Sequence, residues 1–196
     1  MRLDAFVPMI GRTLRNPRGT ARELLKLDLP LDALWAALVL VVILSVLLTG
    51  VADLMVPPPP EAESIAVLTL SPFAQVGLLA SMQAALVLGL WRVGRGMGGQ
   101  GSLSDTLLLM TFLQFVLLAA QLAQLVLMLL LPPIGGLFMI AVFFGAIVLL
   151  LIYVDEMHRF NSLGRSLLLF LLVSVGIGLV LMFLITLTGQ TLNGAA

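Results

Sequence analysis

The stretch that decides the fold is ALWAALVLVVILSVLLTGVADLMV, residues 33–56. It holds one ionisable side chain, Asp53, near its far end. As a helix it would extend about 36 Å at 1.5 Å per residue. A bilayer's hydrocarbon core of ~30 Å needs ~20 apolar residues, so this run reads as a membrane span. Four more runs meet the same test: 73–93, 103–131, 137–154 and 167–187. The third exceeds the core thickness and is expected to tilt or project. A cleavable signal sequence is a poorer reading of the first run, because more than thirty polar or amphipathic residues precede it and it exceeds the ~7–15 residues of a signal core.

Composition agrees. Of 196 residues, 61% are hydrophobic and 10% charged, against roughly half and about a quarter in a soluble domain. A water-soluble fold could not cover that apolar surface, whereas a bilayer does not require it to be covered. The chain is therefore read as all-α, a polytopic bundle of five spans. Residues 1–31 form a cytoplasmic amphipathic N-terminal segment, 32–189 the membrane domain, and 190–196 a short tail on the far side.

Ten basic and ten acidic residues leave no net charge, and hence no global field to attract nucleic acid. Their distribution is uneven. Arg2, Arg12, Arg15, Arg18, Arg22 and Lys26 precede the first span, Arg92 and Arg95 follow the second, and Arg159 and Arg165 precede the fifth. All ten fall on one side of the map, which the positive-inside rule assigns to the cytoplasm. Trp35, Trp91 and Tyr153 lie at the same ends of their spans, as interfacial aromatic rings do.

The N-terminal segment divides in two. Leu3, Phe6, Val7, Ile10 and Leu14 share a helical face, with Pro8 a defect near its start. Asn16-Pro17 is a good helix start, leading into Leu24, Leu25 and Leu27 beside Arg18, Arg22 and Lys26. Such helices lie in the headgroup plane, with their cations on anionic lipid. Elsewhere Ser102 and Asp105 fit a capping box, and Asn161 or Ser162 caps the fifth span. Pro132-Pro133-Ile134-Gly135-Gly136 is expected to make a tight hairpin. A weak echo links residues 102–109 to 162–169; leucine-rich spans match easily, and a shared need for a cap accounts for it.

Chemistry is sparse. Without cysteine and with His158 as the one histidine, no thiolate or histidine-rich metal site can form, and no metal or cofactor is expected. His158 reads as a satisfied interfacial residue beside Asp155 and Glu156. Gly94-Arg95-Gly96-Met97-Gly98-Gly99 follows a span rather than a strand and lacks a Gly-Lys-Ser/Thr, so it reads as a flexible turn. No acid, base and nucleophile set occurs at membrane depth, so catalysis is not expected. One candidate interaction face gathers Arg92, Arg95, Asp105, Asp155, Glu156, His158, Arg159 and Arg165 at similar depth, open to a membrane or cytosolic protein partner or to internal pairing. Gln114, Gln121 and Gln124 form an amide stripe on the third span. Such amides bond neighbouring helices for roughly 0.6 kcal/mol each; lining a polar transport path is the alternative. Gly145, Gly176 and Gly178 are expected at close helix contacts.

Several short motifs together resemble the Yip family, membrane proteins named for interaction with Ypt/Rab GTPases, in particular its bacterial branch. They are Pro17-Arg18 with Ala21-Arg22, Gly98-Gly99-Gln100-Gly101-Ser102 leading into Asp105-Thr106-Leu107, Gln114 and Gln121, Leu130-Leu131-Pro132-Pro133, and His158-Arg159-Phe160-Asn161-Ser162-Leu163. The likeness runs from Pro17 to Gly189. It implies five spans, a cytoplasmic N-terminus and no enzymatic activity. The Asp-Leu-Tyr-Gly-Pro and Gly-Tyr-x-x-x-Pro signatures of eukaryotic members are missing, so their GTPase-linked trafficking role does not carry over.

The charge map makes a direct prediction. A C-terminal reporter that is active only in the cytoplasm stays dark, and a signal from it would invert the topology.

Overall fold

The computed structural model describes residues 6–56 and 71–193. The polyproline loop expected after the first span, and the last three residues, lie outside them. Two short helices, α1 (Phe6–Arg15) and α2 (Pro17–Leu24), precede α3 (Leu31–Met55), α4 (Pro72–Gly96), α5 (Leu103–Leu130), α6 (Pro132–His158) and α7 (Leu163–Asn193). Helices α3 to α7 are long and apolar enough to cross a membrane.

Local chemistry sets the ends of these helices. Asn16 accepts a hydrogen bond from the Gly19 N–H at 3.0 Å, and Pro17 follows at the first helical position. Ser71 caps α4 through the Ala74 N–H, with Pro72 next. Ser102 and Asp105 exchange both bonds of a capping box at 3.0 Å each. Ser162 accepts from the Arg165 N–H at 3.4 Å and caps α7.

The expected hairpin at Pro132–Gly136 takes another form. Only Leu131 separates α5 from α6, and Pro132 and Pro133 open α6, where a missing N–H costs nothing. Helix α7 begins four residues before the predicted span and continues beyond it to Asn193.

Neighbouring helices close a circuit, α3 to α4 to α7 to α6 to α5 and back to α3, with α4 also touching α5. The core lies toward the end carrying the basic residues. Leu38, Val87, Leu90, Leu107, Leu109, Tyr153, Val154 and Leu169 are all buried there. Outward faces stay apolar and open, as with Phe143, Phe144, Leu179 and Phe183. A lipid solvent tolerates these; water would not.

Two expectations from the sequence are corrected. Tyr153 is not an interfacial belt residue: it is wholly buried, 6.4 Å from the Phe112 ring, and its hydroxyl faces Thr13 of α1. Gly145, Gly176 and Gly178 have open space where a Cβ would stand, so they make no close helix contact. Gly89 does so instead, since a Cβ there would meet Val173 of α7 at 2.6 Å.

Gly89→Leu should therefore overpack the crossing of α4 and α7 and cost about 1–3 kcal/mol. Gly176→Leu, in open space, should cost little. Thermal unfolding in detergent tests the contrast: only the first variant lowers Tm.

Candidate functional site

The candidate face assembles around the last turn of α6. Asp155 and Glu156 arrive there on a membrane-spanning helix, with side chains only 2% and 9% exposed. Buried carboxylates need cations and hydrogen bonds, and α2 supplies the cations. Arg18 and Arg22, one turn apart, lie on one helical side. Arg18 bridges Asp155 at 2.9 Å and Glu156 at 3.1 Å. Arg22 clasps Glu156 with two nitrogens, at 2.7 and 3.1 Å. These hydrogen bonds, and then the carboxylate's charge, push the Arg22 guanidinium above its already high usual pKa. The other Asp155 oxygen accepts the Ser162 N–H at 2.9 Å, which fixes the turn into α7.

Helix α2 packs on α6 behind these pairs, burying Thr20, Ala21 and Leu24. Helix α1 folds back on α2, joined by an exposed Arg12–Glu23 pair at 3.5 Å. Such an exposed pair adds little. The N-terminal segment is thus held by protein, and two of the cations expected on lipid, Arg18 and Arg22, are committed to α6.

His158 is likewise not a surface residue; it is 1% exposed. Its Nε2 lies 3.1 Å from the Leu90 carbonyl oxygen, which can only accept, so Nε2 carries the proton. Phe160 stacks on the ring at 5.2 Å. The glycine-rich end of α4 and the loop after it enclose the remaining sides. A Cβ on Gly94 would clash with Nε2, and on Gly99 or Gly101 with Nδ1 at 2.5 and 2.9 Å. This segment, expected to be a flexible turn, is an ordered cradle. Gly98 at φ 87° lets the Gly99 N–H return to the Gly94 carbonyl at 2.8 Å, a Schellman close of α4. The Gln100 N–H then bonds the His158 carbonyl at 3.1 Å, and Arg165 donates to the Met97 carbonyl at 2.9 Å. The loops following α4 and α6 are locked together.

The eight candidate residues therefore separate. Asp105 caps α5, Asp155 and Glu156 hold α2, His158 fills the cradle, and Arg165 ties the loops while lying over Phe160 at 5.1 Å. Arg92 lies over Trp91 at 5.8 Å. Arg95 and Arg159 are exposed and, among the described residues, have no acidic partner. Sequence reasoning missed Arg18 and Arg22 as partners of α6. Their signal was an adjacent acid pair ending a span, which requires cations from somewhere.

The amide stripe lies elsewhere. Gln121 donates to the Thr49 hydroxyl at 2.9 Å, joining α5 to α3. Gln124 lines a recess of about 240 Å³ with Thr49, Asp53 and Gln121. Toward the basic end the same two helices present buried Val42, Val46, Leu113 and Val116, so this recess has apolar packing beneath it. Gln114 is half-buried farther along α5. No group of acids and histidine able to hold a metal occurs among the described residues.

Gly99→Ala should push the His158 ring aside and break the Gly99 and Gln100 amide bonds. The expected result is faster hydrogen exchange across residues 94–101 and a loss of about 1–3 kcal/mol. Unchanged exchange would mean that the cradle is loose.

Compared with known proteins, residues 11–185 match the family model described as the Yip1 domain. No curated protein matches the chain, and no solved structure matches it. The matched region takes in α2 through α6 whole, with half of α1 and most of α7. A chain with five helices able to cross a bilayer, matched over that length, is an integral membrane protein and belongs to the Yip1 family.

Proposed function

We propose that this protein is a non-enzymatic membrane-organising or protein-interaction component of the bacterial inner membrane. Its basic end faces the cytoplasm, and its N-terminal segment rests on anionic lipid. The observation that carries the reading is the contrast between the two ends of the bundle. Among the described residues, the basic end carries nine cationic and six acidic side chains, while the other end carries Asp53 alone. That end is also built to persist. The pairs from Arg18 and Arg22 to α6 and the cradle around His158 hold α2 and both loops in one surface. Arg92, Arg95 and Arg159 remain exposed on it. A rigid, cation-rich surface at the membrane boundary suits an acidic protein partner, which it would steer and orient.

Photo-crosslinkers placed at Arg95 and Arg159, with Leu179 on the lipid face as control, test this in intact membranes. The expected result is one reproducible protein adduct from Arg95 and Arg159 and none from Leu179. Adducts only to lipid or to a small solute from every position would replace the interaction reading with lipid handling or transport.

A further inference from the structure

A cleft of about 460 Å³ opens where α2 meets the end of α6. Arg22, Lys26, Arg159 and Asn161 border it above Asp155 and Glu156. The two carboxylates give it no free negative charge. Asp155 is spent on Arg18 and the Ser162 N–H, and Glu156 on Arg18 and Arg22. Four cations therefore surround two carboxylates, and two cations are left over. Lys26 borders a smaller neighbouring cleft with Asp28 and Asp105, yet among the described residues neither it nor Arg159 forms an ion pair.

The backbone at Arg159 adds a second observation. The chain leaves α6 in the left-handed conformation there, at φ 55° and ψ 39°. The Phe160 N–H returns to the Asp155 carbonyl at 3.3 Å, the closing position where helices ordinarily carry glycine. A non-glycine residue in that conformation costs on the order of 1–2 kcal/mol. An arginine held there against that cost places a guanidinium at the rim of the cleft.

The geometry points to a binding site for a phosphate-type anion in this cleft, with Lys26 and Arg159 as the contacting cations and Asn161 as an additional donor. The cleft lies at the membrane boundary beside the apolar Leu25, so the phosphodiester headgroup of an anionic phospholipid is the source that fits. The proposal sharpens the reading that the N-terminal segment meets anionic lipid, because it replaces diffuse attraction with one built site. It holds whether or not a protein docks on the same face.

Native mass spectrometry of the detergent-solubilised full chain, titrated with phosphatidylglycerol and with phosphatidylcholine, tests it. Lys26→Gln with Arg159→Asn removes the two contacting cations, asparagine being tolerant of the left-handed position. Arg12→Gln with Arg15→Gln removes the same charge from α1, outside the cleft. The expected result is one phosphatidylglycerol retained in preference to phosphatidylcholine. Retention should fall about thirtyfold in the cleft variant, given two cations lost beside a headgroup, and stay unchanged in the α1 variant. If inorganic phosphate at millimolar concentration displaces the lipid, the same site takes a soluble phosphate; if it does not, the lipid is the ligand. Equal losses in both variants would leave only diffuse surface attraction, and no loss in the cleft variant would place the lipid elsewhere; either overturns the site. Circular dichroism and Tm of both variants establish that they fold.

Discussion

Two carboxylates at the end of a membrane-spanning helix set the terms for everything around them. Asp155 and Glu156 are almost wholly enclosed, and an enclosed carboxylate without a partner would cost several kcal/mol. The chain meets that demand from a distance of more than a hundred residues, with Arg18 and Arg22 on a two-turn helix. The consequence is architectural. A short amphipathic segment that composition assigns to the headgroup plane becomes a docked part of the fold. A single carboxylate, Asp155, joins that segment to the turn between α6 and α7.

The same helix end organises a second junction. His158 lies one turn beyond Val154, within a cradle of three glycines, one from the last turn of α4 and two from the loop after it, and its backbone carbonyl receives Gln100 from that loop. The last two turns of α6 thus fasten the N-terminal helices, the loop between α4 and α5, and the entry to α7. Apolar packing thins toward the other end, where Leu130, Ile134 and Leu137 are exposed. The bundle is therefore fixed at the basic end by its apolar core together with these polar contacts, while the far ends of its helices present apolar surface to lipid.

How much of this was legible in the sequence follows from how local each cause is. Five apolar runs each fall on a helix long enough to span, and the Asn16-Pro17 start, the Ser102–Asp105 box and the Ser162 cap, each set by residues within one turn, are present in the structure. The hairpin at Pro132 needed one further consideration, that proline suits the first turn of a helix as well as a loop. Facing is not local. Tyr153 has the composition of an interfacial anchor, but its neighbours α1 and α5 enclose it. Gly89 and Gly176 look alike in sequence, and only the position of α7 decides which one meets a side chain. The glycine segment at the end of α4 and in the loop after it reads as loose until His158, some sixty residues on, is placed inside it. The acid pair was visible, yet nothing in the sequence chose Arg18 and Arg22 over Arg92 and Arg95 as its partners.

The docked state of the N-terminal helices is the claim on which the proposed surface and cleft both depend. A chain without cysteine allows two spin labels to be introduced cleanly, at Gly11 on α1 and Gly164 at the start of α7, positions with room for a side chain. Double electron–electron resonance in lipid nanodiscs then reads the distance between them. A single narrow distribution that broadens in Arg18→Ala with Arg22→Ala is the result this account predicts. A broad distribution in the parent chain, unaltered by those substitutions, would contradict it and return residues 6–24 to the lipid surface.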